Sequence, residues 1–372
     1  MRPDFNRVTI IGVGLIGGSL GMSLRRNKLV EEVVGVDSCV DDLHLAVELG
    51  AVDRYTASPA AGVAGADLVI IATPVGATIP ILHEIWPHLA SGAVVTDVGS
   101  TKTRVVQEAE NLLPPGISFV GGHPMAGSEH SGIKGADPYL FENAFYLITP
   151  TTNSKPAALK KVKKLVKDIG AKVVEIKPEK HDLAVAAVSH LPHLLAASLV
   201  NTVVSLPENE SILPLAAGGF RDTTRIAAGC PAMWRDIFYT NCRQILKMIS
   251  DFRDELTLFT ELLQEGNMEA IFSRLADARA VRVNLQGNVK GYLPAIFEII
   301  LTVPDQPGII AGFTSCLAGG GINITDIEIL RVREGEGGTI RVGFATEEDQ
   351  KNAIQVLGKK GYTVRKAFSC RV

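Results

Sequence analysis

Four stretches of this chain gather groups that can move a proton or hold a carboxylate: His123-Pro124-Met125-Ala126-Gly127-Ser128-Glu129, His181-Asp182, Ser189-His190-Leu191-Pro192-His193, and Gly218-Gly219-Phe220-Arg221-Asp222-Thr223-Thr224-Arg225. An imidazole near its ordinary pKa of about 6.5 takes up or releases a proton at neutral pH. A guanidinium fork pairs both oxygens of a carboxylate. Each stretch also has a plain structural reading, with His181-Asp182 as a helix cap, His193 as a core histidine and Arg225 in a surface ion pair. Combined with the dinucleotide loop near the N-terminus, they outline a site for dehydrogenating an acidic substrate.

That loop is Gly12-Val13-Gly14-Leu15-Ile16-Gly17, placed after a β-rich run and at the head of a helical one. In this context Gly12 permits a tight turn, Gly14 lets a pyrophosphate approach the backbone, and Gly17 allows close packing of helix on strand. Asp37 follows Gly17 by twenty residues, at the end of the second β-rich run. Its carboxylate suits ribose hydroxyls and repels a 2′-phosphate, and Ser38 rather than a base comes next, so the expected cofactor is NAD rather than NADP. Thr73 and Pro74 end the next run, and Asp97-Val98-Gly99-Ser100 the one after. Ligands of open α/β sheets bind outside the carboxyl ends of strands, so these loops should face nicotinamide and substrate. Ser100 and Thr101 serve equally well as an N-cap.

The elements that must carry these groups follow from periodicity. Apolar runs at 8–14, 33–37, 68–74, 93–100, 118–124 and 144–150 read as strands buried on both faces, alternating with helices. That is a doubly wound, Rossmann-type α/β sheet. A helix at 156–170 turns Leu159, Val162, Leu165, Val166 and Ile169 inward and five lysines to solvent. Beyond Pro178 the pattern is helical. Ile245, Ile249, Phe252, Leu256, Phe259 and Leu263 form a seam of coiled-coil type, which requires a partner helix within the chain or across a dimer. After a linker at 287–294 the order is strand 296–303, helix 308–318, strand 323–332, strand 339–345, helix 347–358, strand 362–369, a ferredoxin-like βαββαβ unit. The expected domains are 1–176, 177–290 and 291–372.

Composition narrows the setting. The chain has 372 residues, a net charge of −3 and 46% hydrophobic residues, which suits a globular protein and gives no electrostatic footprint for nucleic acid. Cys39, Cys230, Cys242, Cys316 and Cys370 include no CxxC pair, which argues against zinc or disulfides and fits a reducing cytosol. Arg2 and Arg7 precede an uncharged run at 8–24 that imitates a signal peptide, but five of the 36 glycines fall within it and mark a loop. The apolar stretch 68–82 is broken by Pro74 and Pro80 and is too short to span a bilayer. A soluble cytoplasmic protein with no bound metal is expected.

From GVGLIGGSL near residue 11, through DVGSTK, HPMAGSE and SHLPH, to FRDTTRIA and Trp234, the sequence resembles the prephenate dehydrogenase family, over roughly residues 7–287. The resemblance implies NAD-dependent oxidative decarboxylation of prephenate to 4-hydroxyphenylpyruvate in tyrosine biosynthesis. His123 matches the family's proton acceptor for the substrate hydroxyl, and Ser100 the serine that orients it. Arg225 matches the arginine that binds substrate carboxylate, and His193 a second substrate-binding histidine. Glu129, His181 and Trp234 match supporting or gating positions at the site entrance. Gly12, Gly14, Leu15, Ile16, Gly17, Asp37, Thr73 and Pro74 are the corresponding cofactor residues. The C-terminal unit, with Asp305-Gln306-Pro307-Gly308 before a helix and Gly321-Ile322-Asn323-Ile324 after it, is similar to ACT domains. That likeness implies an amino-acid site at Gly308, Asn323 and Ile324, with tyrosine as effector, on a homodimeric enzyme. Arogenate dehydrogenase and a non-catalytic NAD- and amino-acid-binding sensor are the alternatives. An intact HPxxG and Arg225 argue against the sensor.

Overall fold

The computed structural model describes residues 5–127, 132–286, 297–304, 306–330 and 338–366. Glu129, Asp305, Cys370 and the expected linker at 287–294 lie outside them. The chain divides into two compact units, Met1–Glu265 and Gly266–Val372.

In the first unit eight strands form one sheet: β1 (Arg7–Ile11), β2 (Glu32–Val36), β3 (Arg54–Thr56), β4 (Leu68–Ile71), β5 (Val94–Asp97), β6 (Ser118–Pro124), β7 (Phe145–Thr149) and β8 (Lys172–Glu175). Their order is β3-β2-β1-β4-β5-β6-β7-β8, parallel throughout except for the antiparallel β6–β7 pair. Every residue of β4 and β5 is buried, as the uninterrupted apolar runs require. Separate hydrophobic clusters, one around Ile10, Leu68 and Ile148 and one around Ile11, Val69 and Val95, cover the two faces and make the sheet doubly wound. The strand order reverses between β1 and β4, which opens a crevice beside the glycine loop. The two strands absent from the sequence reading, β3 (RYT) and β8 (KVVE), are the sheet's edges. Their mixed charged and apolar residues blunt an edge and leave no buried-strand signature.

From Pro178 the unit is helical. Helix Pro178–Val185, a wide five-residue π turn Ala186–His190 and helix Leu191–Val204 run as one rod. The span Pro178–Val204 is long and apolar enough to cross a membrane, yet His181, Asp182, His190 and His193 all lie buried along it. Helix Pro231–Thr240 packs on helix Val75–Ile85 of the nucleotide-binding part. In helix Cys242–Gln264 the expected seam is covered at Ile245 and increasingly open toward its end, with Leu256 and Leu263 exposed.

The second unit begins with helix Met268–Gln286, which exposes Met268, Phe272, Leu275, Val281 and Val283. Then follow β9 (Phe297–Val303), helix Ile309–Gly319, β10 (Asp326–Leu330), β11 (Gly338–Phe344), helix Glu347–Lys359 and β12 (Thr363–Lys366). The antiparallel order is β10-β11-β9-β12, the arrangement a βαββαβ chain gives when both crossovers lie on one face. Ile299, Leu301, Ile340 and Val342 meet Phe313, Leu317 and Leu357 in its core. The second strand of this unit, β10, starts at Asp326 rather than at Asn323, so Asn323 and Ile324 belong to the loop before it.

Candidate active site

The nucleotide loop has three glycines with three different constraints. Gly12 stands at φ +94°, where L side chains are strained, and a Cβ would meet the Ala72 carbonyl oxygen at 2.7 Å. A Cβ at Gly17 would come within 1.9 Å of the Gly12 carbonyl oxygen, so helix Leu15–Arg26 can close on the loop only without it. At Gly14 nothing lies within 4 Å of a Cβ position, which leaves the helix N-terminus open to a phosphate. Leu15 and Ile16 form the first half-buried positions of that helix. Asp37 accepts the Val13 N–H at 3.0 Å through Oδ2 and the Cys39 N–H at 3.1 Å through Oδ1, which fixes its carboxylate beside the loop. Across the crevice, Thr73 Cγ2 would lie 3.0 Å from a Cβ on Gly12, and the buried Thr73 Oγ1 has no hydrogen-bond partner among the described residues. Pro74 occupies the position just before the next helix, Val75–Ile85. The open cradle, the acidic residue beside it and the orphaned hydroxyl fit NAD.

His123, near the end of β6, forms the front of a hydrogen-bonded relay. Its Nδ1 lies 2.9 Å from His181 Nε2, and His181 Nδ1 lies 2.8 Å from Asp182 Oδ1. A carboxylate only accepts, so His181 carries a proton on Nδ1, and the neutral ring with that tautomer presents a lone pair at Nε2. His123 therefore donates from Nδ1 and keeps the lone pair on its own Nε2. Burial, and then His181, Lys102 and His190 nearby, hold the His123 imidazole well below its ordinary pKa, so it is neutral and ready to accept a proton.

Asp182 also accepts the Lys102 N–H at 2.7 Å and the Thr103 N–H at 2.8 Å, at the start of helix Thr103–Leu112. The residue thus caps a different helix from its own. Burial pushes its carboxyl up, but the bonds from His181, Thr103 and Lys102 outweigh that and hold it below the ordinary value. Asn241 Nδ2 donates to the Asp182 carbonyl oxygen at 2.8 Å and lies 3.1 Å from His190 Nδ1. Burial lowers His190 to about 4.

The π turn has a local cause. Pro192 has no N–H and its ring would clash with the carbonyl of Val188 in a regular helix, so the chain widens there and Leu191 N–H bonds back to the Ala186 carbonyl oxygen. His193, three residues beyond the turn, stacks on Trp234 with ring centroids 3.6 Å apart and planes 11° apart, and Phe238 lies 5.7 Å from Trp234. Burial lowers the His193 pKa, and its Nδ1 has no partner among the described residues.

The structure thus gathers His123, His181, His190, His193 and Trp234. His181 is fully buried behind His123 rather than at an entrance. Ser100 lies half-buried just beyond β5, one residue after Gly99. Arg225 stands exposed on the turn Arg225–Ala228, which packs on the helix that carries His193. At the end of that turn, a Cβ on Gly229 would meet Trp234 Nε1 at 2.6 Å. Sequence reading missed the roles of Asp182, Asn241, Asp97 and Lys102. Asp97 left a trace as an acid closing an otherwise apolar strand, and Asp182 as the neighbour of His181 with a helix-capping carboxylate.

Comparison with known proteins agrees with this arrangement. A family model described as prephenate dehydrogenase, nucleotide-binding domain, matches residues 20–175, and one described as prephenate dehydrogenase, dimerization domain, matches residues 177–277. The chain is 39% identical over 362 residues to prephenate dehydrogenase of Bacillus subtilis, covering 96% of this chain and 97% of that one. The structure of Aquifex aeolicus prephenate dehydrogenase in complex with hydroxyphenyl propionate and NAD+ superposes with a TM-score of 0.72 at 36% identity, over 77% of this chain and all of the other. Arogenate dehydrogenase of Synechocystis superposes with a TM-score of 0.67 at 32% identity, over 75% and 99%. With the glycine cradle, the relay and a full-length relative in agreement, this chain belongs to the prephenate dehydrogenase family.

Proposed function

We propose that the protein is an NAD-dependent prephenate dehydrogenase that yields 4-hydroxyphenylpyruvate and CO2. The observation that carries this reading is the relay from Asp182 through His181 to His123, which leaves one neutral imidazole nitrogen free beside the carboxyl ends of the strands. Gly12, Gly14, Leu15, Ile16, Gly17, Asp37, Thr73 and Pro74 would hold the cofactor. Bound NAD+ supplies the hydride acceptor.

His123 Nε2 takes the C4 hydroxyl proton as C4 is oxidised, and Asp182, through His181, stabilises the positive charge that develops. The bond from the ring to its carboxylate then breaks, and its electron pair enters the ring as CO2 leaves. The former C4 oxygen recovers the proton from His123 as it becomes a phenol, so no proton is released overall. Ser100 orients the hydroxyl. Arg225 and His193 hold substrate carboxylates, with Trp234 stacked behind His193 and Glu129 and His181 in support.

In this reading residues 177–290 bind substrate and pair two protomers, while 291–372 form an ACT domain that takes tyrosine at Gly308, Asn323 and Ile324. The βαββαβ strand order supports it, as does the left-handed Gly308 at φ +88°, which opens the backbone at the head of a helix. The reaction belongs in the cytoplasm, where both the cofactor and reduced cysteines are found.

Turnover measured with prephenate and with arogenate, each with NAD+ and NADP+, tests the assignment. Prephenate with NAD+ should be the best pair. A preference for arogenate would move the chain toward its Synechocystis relative, and activity with neither acid would overturn the function. Replacing His123→Asn should reduce kcat by about 100-fold to 10,000-fold with NAD+ affinity unchanged.

A further inference from the structure

A second set of charges lies beneath the relay and has no part in the steps above. Asp97, the last residue of β5, and Lys102 are both fully buried and form an ion pair. Asp97 Oδ1 accepts the Gly122 N–H at 3.2 Å, and Oδ2 accepts the Gly99 N–H at 3.0 Å. One carboxylate therefore fastens the residue before His123 and the residue before Ser100. Lys102 reaches the third segment, since its main-chain N–H is the donor to Asp182 Oδ1.

We propose that Asp97 and Lys102 are positioning residues that set the proton affinity of His123 through their buried opposite charges. The inference rests on His123 being the proton acceptor. The titratable groups around His123, its relay and the ion pair come from five places: His181 and Asp182 from helix Pro178–Val185, His190 from the π turn, Lys102 from the loop after β5, Asp97 from β5, and Tyr146, which senses Asp97, from β7. Tyr146 stays protonated, because burial and then Asp97 raise its phenol.

With neutral imidazoles, two carboxylates and one ammonium leave this cluster with one net negative charge. The proton arriving from substrate neutralises it. Unbalanced charge in a dry interior is strongly unfavourable, so this balance favours protonation of His123 during the reaction. Lys102 opposes that uptake and Asp97 favours it. Removing either should shift His123 in opposite directions, which loss of packing alone would not do.

The test is the pH profile of kcat/KM for the full chain with prephenate and NAD+, whose acid limb reports the free-enzyme base. In Lys102→Met the limb should move to higher pH by about one unit, and in Asp97→Asn to lower pH by a similar amount. The double variant D97N/K102M restores the net charge and should return the limb to its wild-type position. NAD+ binding identifies folded variants. If one single variant does not fold, the other must still differ from the double variant by about one unit. If neither folds, the double variant must keep the wild-type limb, and a displaced limb overturns the proposal. Limbs that stay fixed, or move together in both single variants, also overturn it. Failure of the underlying reading looks different: His123→Asn would retain appreciable turnover.

Discussion

At the residue scale, the histidines make this protein sensitive to acid. Burial holds His190 to about 4 and also lowers His123 and His193, whereas in the unfolded chain each titrates near 6.5. Between these values the unfolded state binds more protons, so stability falls as pH falls. Asp182 acts in the same direction, since its lowered carboxyl gives stability that is lost on protonation. Thermal melts from pH 8 to 4.5 should show Tm declining below about 6.5, with His190 alone worth up to about 3 kcal/mol. A Tm constant across that window would contradict neutral burial. The individual groups were legible in sequence, because His123 and Arg225 stand out by type beside a nucleotide loop. Their pairing was not. His123 meets His181 across 58 residues, and a lysine buried as completely as Lys102 contradicts the usual placement of its residue type.

At the element scale, the π turn governs which histidines share a face. His181 and His193 are twelve positions apart, which in a regular helix would separate them by about 120°. The wide turn absorbs one residue and brings them to within about 20°. Inserting one alanine after Val188, which is 70% exposed, should swing His190 and His193 by about 100° relative to His181. The expected result is a loss of at least about 100-fold in kcat/KM, as a small displacement of positioning groups can cause, with helical content by circular dichroism retained. Undiminished activity would show that this register does not position the site. Strands buried on both faces were legible because nothing interrupts their apolar runs. The edge strands β3 and β8 were not, and neither was the π turn, since Pro192 in the sequence reads equally well as the start of a new helix.

At the scale of the whole molecule, the open seam is the main feature. Leu263 is 65% exposed on helix Cys242–Gln264, and Phe272 is 72% exposed on helix Met268–Gln286. A second copy is the expected cover, as the dimerization-domain match suggests. Phe272→Glu should shift the protein to a monomer in size-exclusion chromatography, and a dimer that survives it would place the contact elsewhere. The same open seam makes stability a property of the population as well as of the chain. A subunit stabilised by its twin obeys mass action, so its melting temperature should rise with protein concentration. Activity should then fall more steeply than in proportion to dilution, and a cell that makes half as much of the chain would hold less than half of the working enzyme.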